Sequence, residues 1–448
     1  MDIRSKARGV LVRGGLLLAA LAAFAILINL SWFDEPFYPE LERLRVPEPV
    51  SMENNAYPLI YGFPAANDKD PRAAGLAIVA ALRDRYRQGQ PIGLGDAEMA
   101  DMLGGSGLDE AWQAGLRSLP CNSRVLLDCA DRLLAEFGSR APDDPRLRVL
   151  VQRYGEILQT PRFEENQEFD TTTPVPAYGL LMTVGRIRLA KRYNAESTES
   201  YLASVAEDLA FWRRMLRDGH SLIAKMVALA GIRNDLEFVS ALLRDRDLGE
   251  DDILSIRRLL QPLTSEERDI GEAFVAELRV LLLSGKTVAL MPDEPSRVMR
   301  LLVQRRATIN EFYLKTVMPL RLLAALDAEA FYTHRGYEPL RYELRVFPPP
   351  LYNLGGKLLL KQQAETYNVQ DYVSRVHDLD GRIALVLLQT EIERSPERGV
   401  QAVVDASAYR NPYTRESMDY DAAAGTIGFE CVSNPGDVCA VAVGSARR

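Results

Sequence analysis

The sequence predicts a mostly α protein: a single N-terminal transmembrane helix, an α-helical array of antiparallel helical hairpins, and a small C-terminal antiparallel β hairpin or sheet. Three observations carry that reading. Val10–Leu30 is an apolar run broken only by Arg13 and Asn29. Apolar residues recur at helical spacing through most of 70–394, and short alternating segments bounded by turn residues cluster after residue 417.

A membrane span needs roughly 20 apolar residues to cross about 30 Å of hydrocarbon, and Val10–Leu30 is long enough. Arg4, Lys6 and Arg8 precede it, while Asp34, Glu35, Glu40 and Glu42 follow. That charge bias places the N-terminus in the cytoplasm and the bulk of the chain in the periplasm of a bacterial inner membrane. The small residues at Ala20–Ala22 and Ala23–Ala25 offer signal-peptidase sites, yet the run continues through Ile26-Leu27-Ile28, which favours an uncleaved signal-anchor.

The chain has 448 residues, 47% of them hydrophobic, enough for a sizeable core. Its net charge of -8 leaves no concentrated basic surface of the kind that neutralises phosphates, so nucleic acid is excluded as a partner. Five stretches follow: tail and anchor (1–32), an extended connector (33–69), an N-terminal helical subdomain with a first disulfide (70–170), the helical array (171–400) and a β-rich C-terminal segment with a second disulfide (401–448).

The four cysteines form two pairs, Cys121/Cys129 and Cys431/Cys439. In an oxidising compartment an even count reads as disulfides. The second pair encloses the turn signal Asn434-Pro435-Gly436-Asp437 between strand-like runs. The first pair cannot bridge within one helix, because eight residues separate the Cα atoms by about 12 Å; the helix is therefore expected to start near Asp128. No histidine neighbours either pair, so no metal is expected.

Taken in order, 33–69 is rich in proline, with Pro36, Pro39, Pro47, Pro49, Pro58 and Pro64, and reads as irregular. Asp70 as cap and Pro71 as first residue open a helix that Gly89 ends. Two short helices flank Gly104-Gly105-Ser106-Gly107, a hinge rather than a phosphate cradle since no Lys-Ser/Thr follows. Helices are expected at Asp128–Phe137 and Pro145–Leu158. The loop Gln159–Pro176 carries Glu164, Glu165, Glu168 and Asp170 without the spacing of a calcium loop. Helices at 177–193, 197–217, 221–245, 250–261 and 265–284 follow, with Leu202, Val205, Leu209, Trp212 and Leu216 on one face of the second. A helix pair at 295–330 begins with Arg297, Arg300, Arg305 and Arg306, read as a solvated face. Phe331–Tyr352 then gathers Phe331, Tyr332, Tyr337, Tyr342, Phe347 and Tyr352 around Pro348-Pro349-Pro350, either a candidate surface for a partner or ligand or a segment that packs back across the helices. A long helix at Val369–Arg394 precedes strands at Ser417–Tyr420, Thr426–Cys431 and Val438–Val443.

Asn55-Ala56-Tyr57 with Gly62 and Asp70-Pro71, the Cys121/Cys129 pair, Arg153-Tyr154, Leu222–Met226, Asn353 with Gly356-Lys357, Tyr372 with Arg375-Val376 and Asp378–Gly381, and Asn411–Thr414 occur in that order. In this order the chain resembles a family of uncharacterised, membrane-anchored proteobacterial proteins, over nearly all of the part beyond the apolar run. It departs at Leu354-Gly355, where that pattern has a proline and a residue other than glycine. The resemblance implies an envelope location and disulfides, and no activity.

Chemistry is sparse. No nucleophile elbow, zinc-binding helix or cofactor fingerprint is legible, so no cofactor is expected. The one local group with catalytic possibilities is Arg375, His377, Asp378 and Asp380, a histidine beside two carboxylates. Lys225, inside the apolar Leu222–Leu229 run, is a second position where burial would depress a pKa. The reading is a non-catalytic envelope scaffold or binding protein with an envelope protein or peptide as partner; the alternative is a periplasmic hydrolase of a cell-wall or other envelope polymer.

Overall fold

A computed structural model of the chain describes residues 3–30, 33–44, 49–90, 92–105, 129–137, 144–170, 172–283, 303–334, 352–366, 370–434 and 438–444, with side chains for all of these except 3–12 and 363–366. In chain order the helices are α1 (Ile3–Ile28), α2 (Pro39–Leu44), α3 (Ala56–Gly62), α4 (Pro71–Arg87), α5 (Asp96–Met102), α6 (Cys129–Phe137), α7 (Pro145–Gln159), α8 (Tyr178–Ala195), α9 (Thr198–Asp218) and α10 (Leu222–Asp245). They continue with α11 (Glu250–Leu259), α12 (Ser265–Arg268), α13 (Gly271–Leu283), α14 (Arg305–Phe312), α15 (Met318–Ala324), α16 (Ala328–His334), α17 (Leu354–Thr366), α18 (Gln370–Arg394) and α19 (Val400–Ala406); a π turn at Tyr313–Val317 joins α14 to α15. Strands β1 (Asp419–Asp421), β2 (Thr426–Glu430) and β3 (Val438–Ala442) complete the chain. The protein is mostly helical with one small antiparallel sheet.

Two compact units are present. The first comprises Met1–Pro47, Leu278–Leu320 and Tyr337–Asn368; the second comprises Glu48–Glu277, Arg321–Gly336 and Val369–Arg448. The expected 171–400 array thus contributes to both.

In the first unit, the chain leaving α1 is tied down by side chains from α14 and the start of α17. Gln304 donates to the Leu30 carbonyl at 2.9 Å, and Asp34 accepts from the Arg306 and Ala307 backbone N–H groups, capping α14. Asn310 donates to Glu35 and to the Pro36 carbonyl. Asn353, at φ 53°, accepts from the Gln304 N–H and the Thr308 hydroxyl. Among the described residues no helix is long and apolar enough to cross a membrane.

In the second unit, α10 is the central element. Buried residues lie all round it, from Ala224 and Ala228 to Leu236, Val239 and Leu243, so it needs neighbours on several sides. It packs against α6, α8, α9, α18 and β3. The α18 contact replaces a simple succession of hairpins: α18 buries Val376, Leu379, Ile383, Leu387 and Leu388, and a helix apolar on this scale is covered by whichever partner the whole fold supplies. The predicted Leu202, Val205, Leu209, Trp212 and Leu216 face of α9 is buried.

The sheet has the order β1-β2-β3, with Ile427 opposite Val441 and Phe429 opposite Cys439. Cys431 and Cys439 form a disulfide across its end, with Cα atoms 5.3 Å apart. Gln389 of α18 donates to the Ser240 carbonyl of α10 and the Ala442 carbonyl of β3, joining the three elements. Cys121 lies outside the described residues, as do Ser106 and Gly107 of the expected hinge, Arg297 and Arg300, Phe347 to Pro350, and Pro435–Asp437.

The expected extended connector is a correction. It contains α2 and α3, and every residue of α3 is buried. Prolines excluded helix there only on the assumption of an interior position; Asn55 caps α3 by accepting from the Tyr57 N–H, and Pro58 falls in the first turn, where no intrahelical donor is required. α3 and α4 cross so closely that a Cβ on Gly62 would fall onto the Pro71 carbonyl, and one on Gly75 onto the Pro58 carbonyl. Gly62→Ala is therefore expected to destabilise the second unit by roughly 1–3 kcal/mol as the helices are forced apart. Chemical denaturation should show a lower midpoint; an unchanged midpoint would mean that the two helices do not approach this closely.

Candidate functional site

α18 carries four of the predicted site residues, and the helical period sends them in different directions. His377 is 2% exposed, and its ring lies 5.0 Å from that of Phe331. Its Nε2 has no hydrogen-bond partner. Burial, and then the Arg268 guanidinium, push its pKa down to about 4, so the imidazole is neutral at pH 7. Asp378, also buried, accepts from the Tyr413 hydroxyl at 2.6 Å and from the Val432 and Ser433 N–H groups at 3.0 Å. Asp380 accepts from the Leu263 N–H and pairs with Arg268 at 3.2 Å. Arg375 lies over the Tyr372 ring and beside the Met226 sulfur. His377 and Asp380 share Arg268 as a neighbour, whereas Asp378 turns to Tyr413 and the segment after β2. Asp378 lies near the sulfurs of Cys431 and Cys439, but with both sulfurs in the disulfide the group has no thiolate to offer a metal.

The described residues of the predicted aromatic surface fall in both units. Phe331 is fully buried against His377, and Tyr332 stacks on Tyr413 at 5.4 Å. Tyr352 belongs to the first unit; its hydroxyl donates to the Phe33 carbonyl and accepts from the Glu35 N–H, and burial pushes its pKa up to about 12. Tyr337 and Tyr342 lie outside the described residues. The acidic loop also scatters: Glu165 accepts from the His220 and Ser221 N–H groups, Glu168 pairs with Arg83, and Asp170 accepts from Thr172. Lys225 donates to the Leu216 and Arg217 carbonyls at the end of α9; burial lowers its pKa, and its role is a helix cap.

Two charged groupings that the sequence reading passed over are assembled by packing. One is internal. Asp208 accepts from the Tyr154 hydroxyl and from Arg188 at 3.2 Å, and burial raises its pKa to about 6 against the pull of that arginine. Asp235 is raised as well, by burial and by the neighbouring Asp208.

The other is a small cleft with about 30 Å³ of room, open to solvent and walled by α6, α10, α18 and β3. Arg233, Arg244, Arg382, Glu237, Asp131 and Ser240 supply its polar lining, and Leu236, Val386 and Val441 its apolar walls. Arg233 and Glu237 lie one turn apart on α10, 3.9 Å from each other. Burial pushes the Glu237 carboxyl up to about 7, opposed by Arg233, Arg186 and Arg382. The sequence signal was present as an i,i+4 charge pair inside an apolar helix, and it reads as a solvated face until α18 covers it. No family model, curated protein or solved structure matches the chain.

The neutral His377 gives a pH test. Its folded pKa of about 4 lies below the unfolded 6.5, so the unfolded chain binds the extra proton between those values. Its contribution to stability is present above pH 6.5 and lost as pH falls towards 4, up to about 3 kcal/mol. The imidazole C2 proton should titrate near pH 4 by NMR. The stability of the wild type relative to His377→Leu should fall over the same window, and a midpoint near 6.5 with a constant difference would place the ring in water.

Proposed function

We propose that this is a membrane-anchored protein of the bacterial cell envelope: α1 lies in the inner membrane with its N-terminus cytoplasmic. The helical body outside it serves as a scaffold or binding protein for another envelope protein or peptide. One observation carries the anchoring. Leu16, Leu17 and Leu18 on α1 are 63–69% exposed, and Leu21, Phe24, Ile26 and Leu27 are exposed with them. Consecutive helical residues point about 100° apart, so from Gly14 to Ile28 this apolar surface runs round the helix and leaves no polar face to present to water. Each such side chain gains ~1.5–3 kcal/mol on leaving water, and hydrocarbon is the solvent that supplies this on all sides. The Cys431–Cys439 disulfide supports an oxidising compartment for the C-terminal end. A hydrolytic role at Arg375, His377, Asp378 and Asp380 has no such support, because Asp378 faces other partners than His377 and Asp380.

The full chain is expected to resist alkaline carbonate extraction from bacterial membranes. A tag after Arg448 should be protease-protected in intact cells and digested once the outer membrane is opened. Leu17→Arg with Leu18→Arg, at ~2.5–3.5 kcal/mol per charge on the insertion scale, should move most of the chain to the soluble fraction. A wild-type chain that extracts freely, or a tag that reports from the cytosol, would overturn the assignment.

A further inference from the structure

We propose that the cleft between α10 and α18 is an oxyanion site that takes one phosphate or carboxylate group of a ligand. The inference concerns the second unit alone and does not depend on how the chain is anchored.

The chain as a whole is acidic at -8, yet this cleft collects guanidinium groups. Arg233, Arg244 and Arg382 line it, and Arg186 and Arg375 lie close enough to act electrostatically on its members. Acid partners are unevenly distributed among them. Arg244 pairs with both Asp131 and Asp245. Arg186 donates to Asn234 at 2.9 Å. Among the described residues Arg233 has only Glu237 at ion-pair range, and that contact is 3.9 Å, too long for a hydrogen bond. Its Nε is buried without a hydrogen-bond acceptor. A guanidinium is a planar fork matched to the two oxygens of a carboxylate or phosphate, and a buried donor left without an acceptor loses the hydration it had in water. An oxyanion in the cleft brings an acceptor to the guanidinium groups that line it. The apolar walls of Leu236, Val386 and Val441 thin the solvent around it and strengthen the attraction.

Glu237 sets the pH dependence. The groups facing it are Arg233 on its own helix, Arg186 from α8 and Arg382 from α18, with Asp131 of α6 on the cleft wall; β3 contributes only Ala440 and Val441. As a carboxylate it competes with the incoming anion for Arg233. As a neutral acid it does not. The anion also raises the Glu237 pKa above its resting value of about 7, so binding takes up a proton and tightens as pH falls through neutrality.

The test uses the purified full chain, in detergent where extraction requires it, with inorganic phosphate, sulfate and succinate as probes and chloride at matched ionic strength as control. Sulfate keeps its charge from pH ~6 to ~8, so it serves for the pH series. A saturable rise in thermal midpoint is expected with phosphate, with succinate or with both, and none with chloride; the responding probe identifies the group. Arg233→Gln and Arg382→Gln should each weaken binding at least tenfold. Glu237→Gln should bind sulfate with an affinity that no longer changes with pH. Should the arginine variants fail to fold by circular dichroism, the Glu237→Gln pH series carries the decision. A response to chloride equal to that of the oxyanions, no saturable response, arginine variants that bind like the wild type, or a pH dependence that survives in Glu237→Gln would each overturn the proposal.

Discussion

A carboxylate enclosed where water does not reach it governs the second unit. Asp208 is 1% exposed, and removing such a charge from water costs several kcal/mol unless neighbours replace the lost hydration. Three helices supply the replacement: Asp208 itself on α9, the Tyr154 hydroxyl from α7 and the Arg188 guanidinium from α8. Arg188 is in turn held by Glu207 and the Ser204 carbonyl. Gly185 is part of the same arrangement, since a Cβ there would collide with the Tyr154 ring. A shift of any one helix would strand a charge in the interior, so the cluster specifies the mutual placement of α7, α8 and α9 more sharply than apolar packing alone.

The same demand recurs at helix ends, where backbone groups lack intrahelical partners. At the junction of α9 and α10, Ser221 caps α10, Glu165 accepts from two further backbone N–H groups, and Lys225 reaches back to the last carbonyls of α9. Arg153 donates to the carbonyls of Phe63, Ala66 and Lys69, holding the turn between α3 and α4 against α7. In the first unit Asp34 and Asn353 do this work for α14. Several residues that suggested chemistry in the sequence, Lys225, Glu165 and Asp378 among them, are explained by the need to satisfy backbone groups.

At the α10–α18 cleft, where several arginines gather, the demand is incompletely met. Asp378 has three donors and Asp380 two, whereas the Arg233 Nε has no acceptor and Glu237 is held near the point of protonation. A polar group whose partners are complete has little to gain from a ligand. One whose partners are incomplete is where a ligand finds its binding energy, and an acidic chain that concentrates arginines at such a place discriminates for anions.

Most helices were legible from sequence because local signals and tertiary demand agree. Asp70-Pro71 and Asp144-Pro145 open α4 and α7 as caps and first residues, and the turn residues before Thr426 and Val438 bound strands where expected. α3 was missed because a proline was read without its position in the turn. The candidate site was almost wholly illegible. Asp378 is a near neighbour of His377 and Asp380 along α18 yet faces other partners, while Arg233 and Arg382 are separated by most of the chain's second half and share one cleft. The sequence by itself determined the helices, the small sheet, the apolar character of α1 and the cysteine pairing of the C-terminal turn, since each is set by residues a few positions apart. Only the tertiary structure decided which charges are enclosed and which are left with unmet hydrogen bonds, because burial depends on what distant segments bring to cover them.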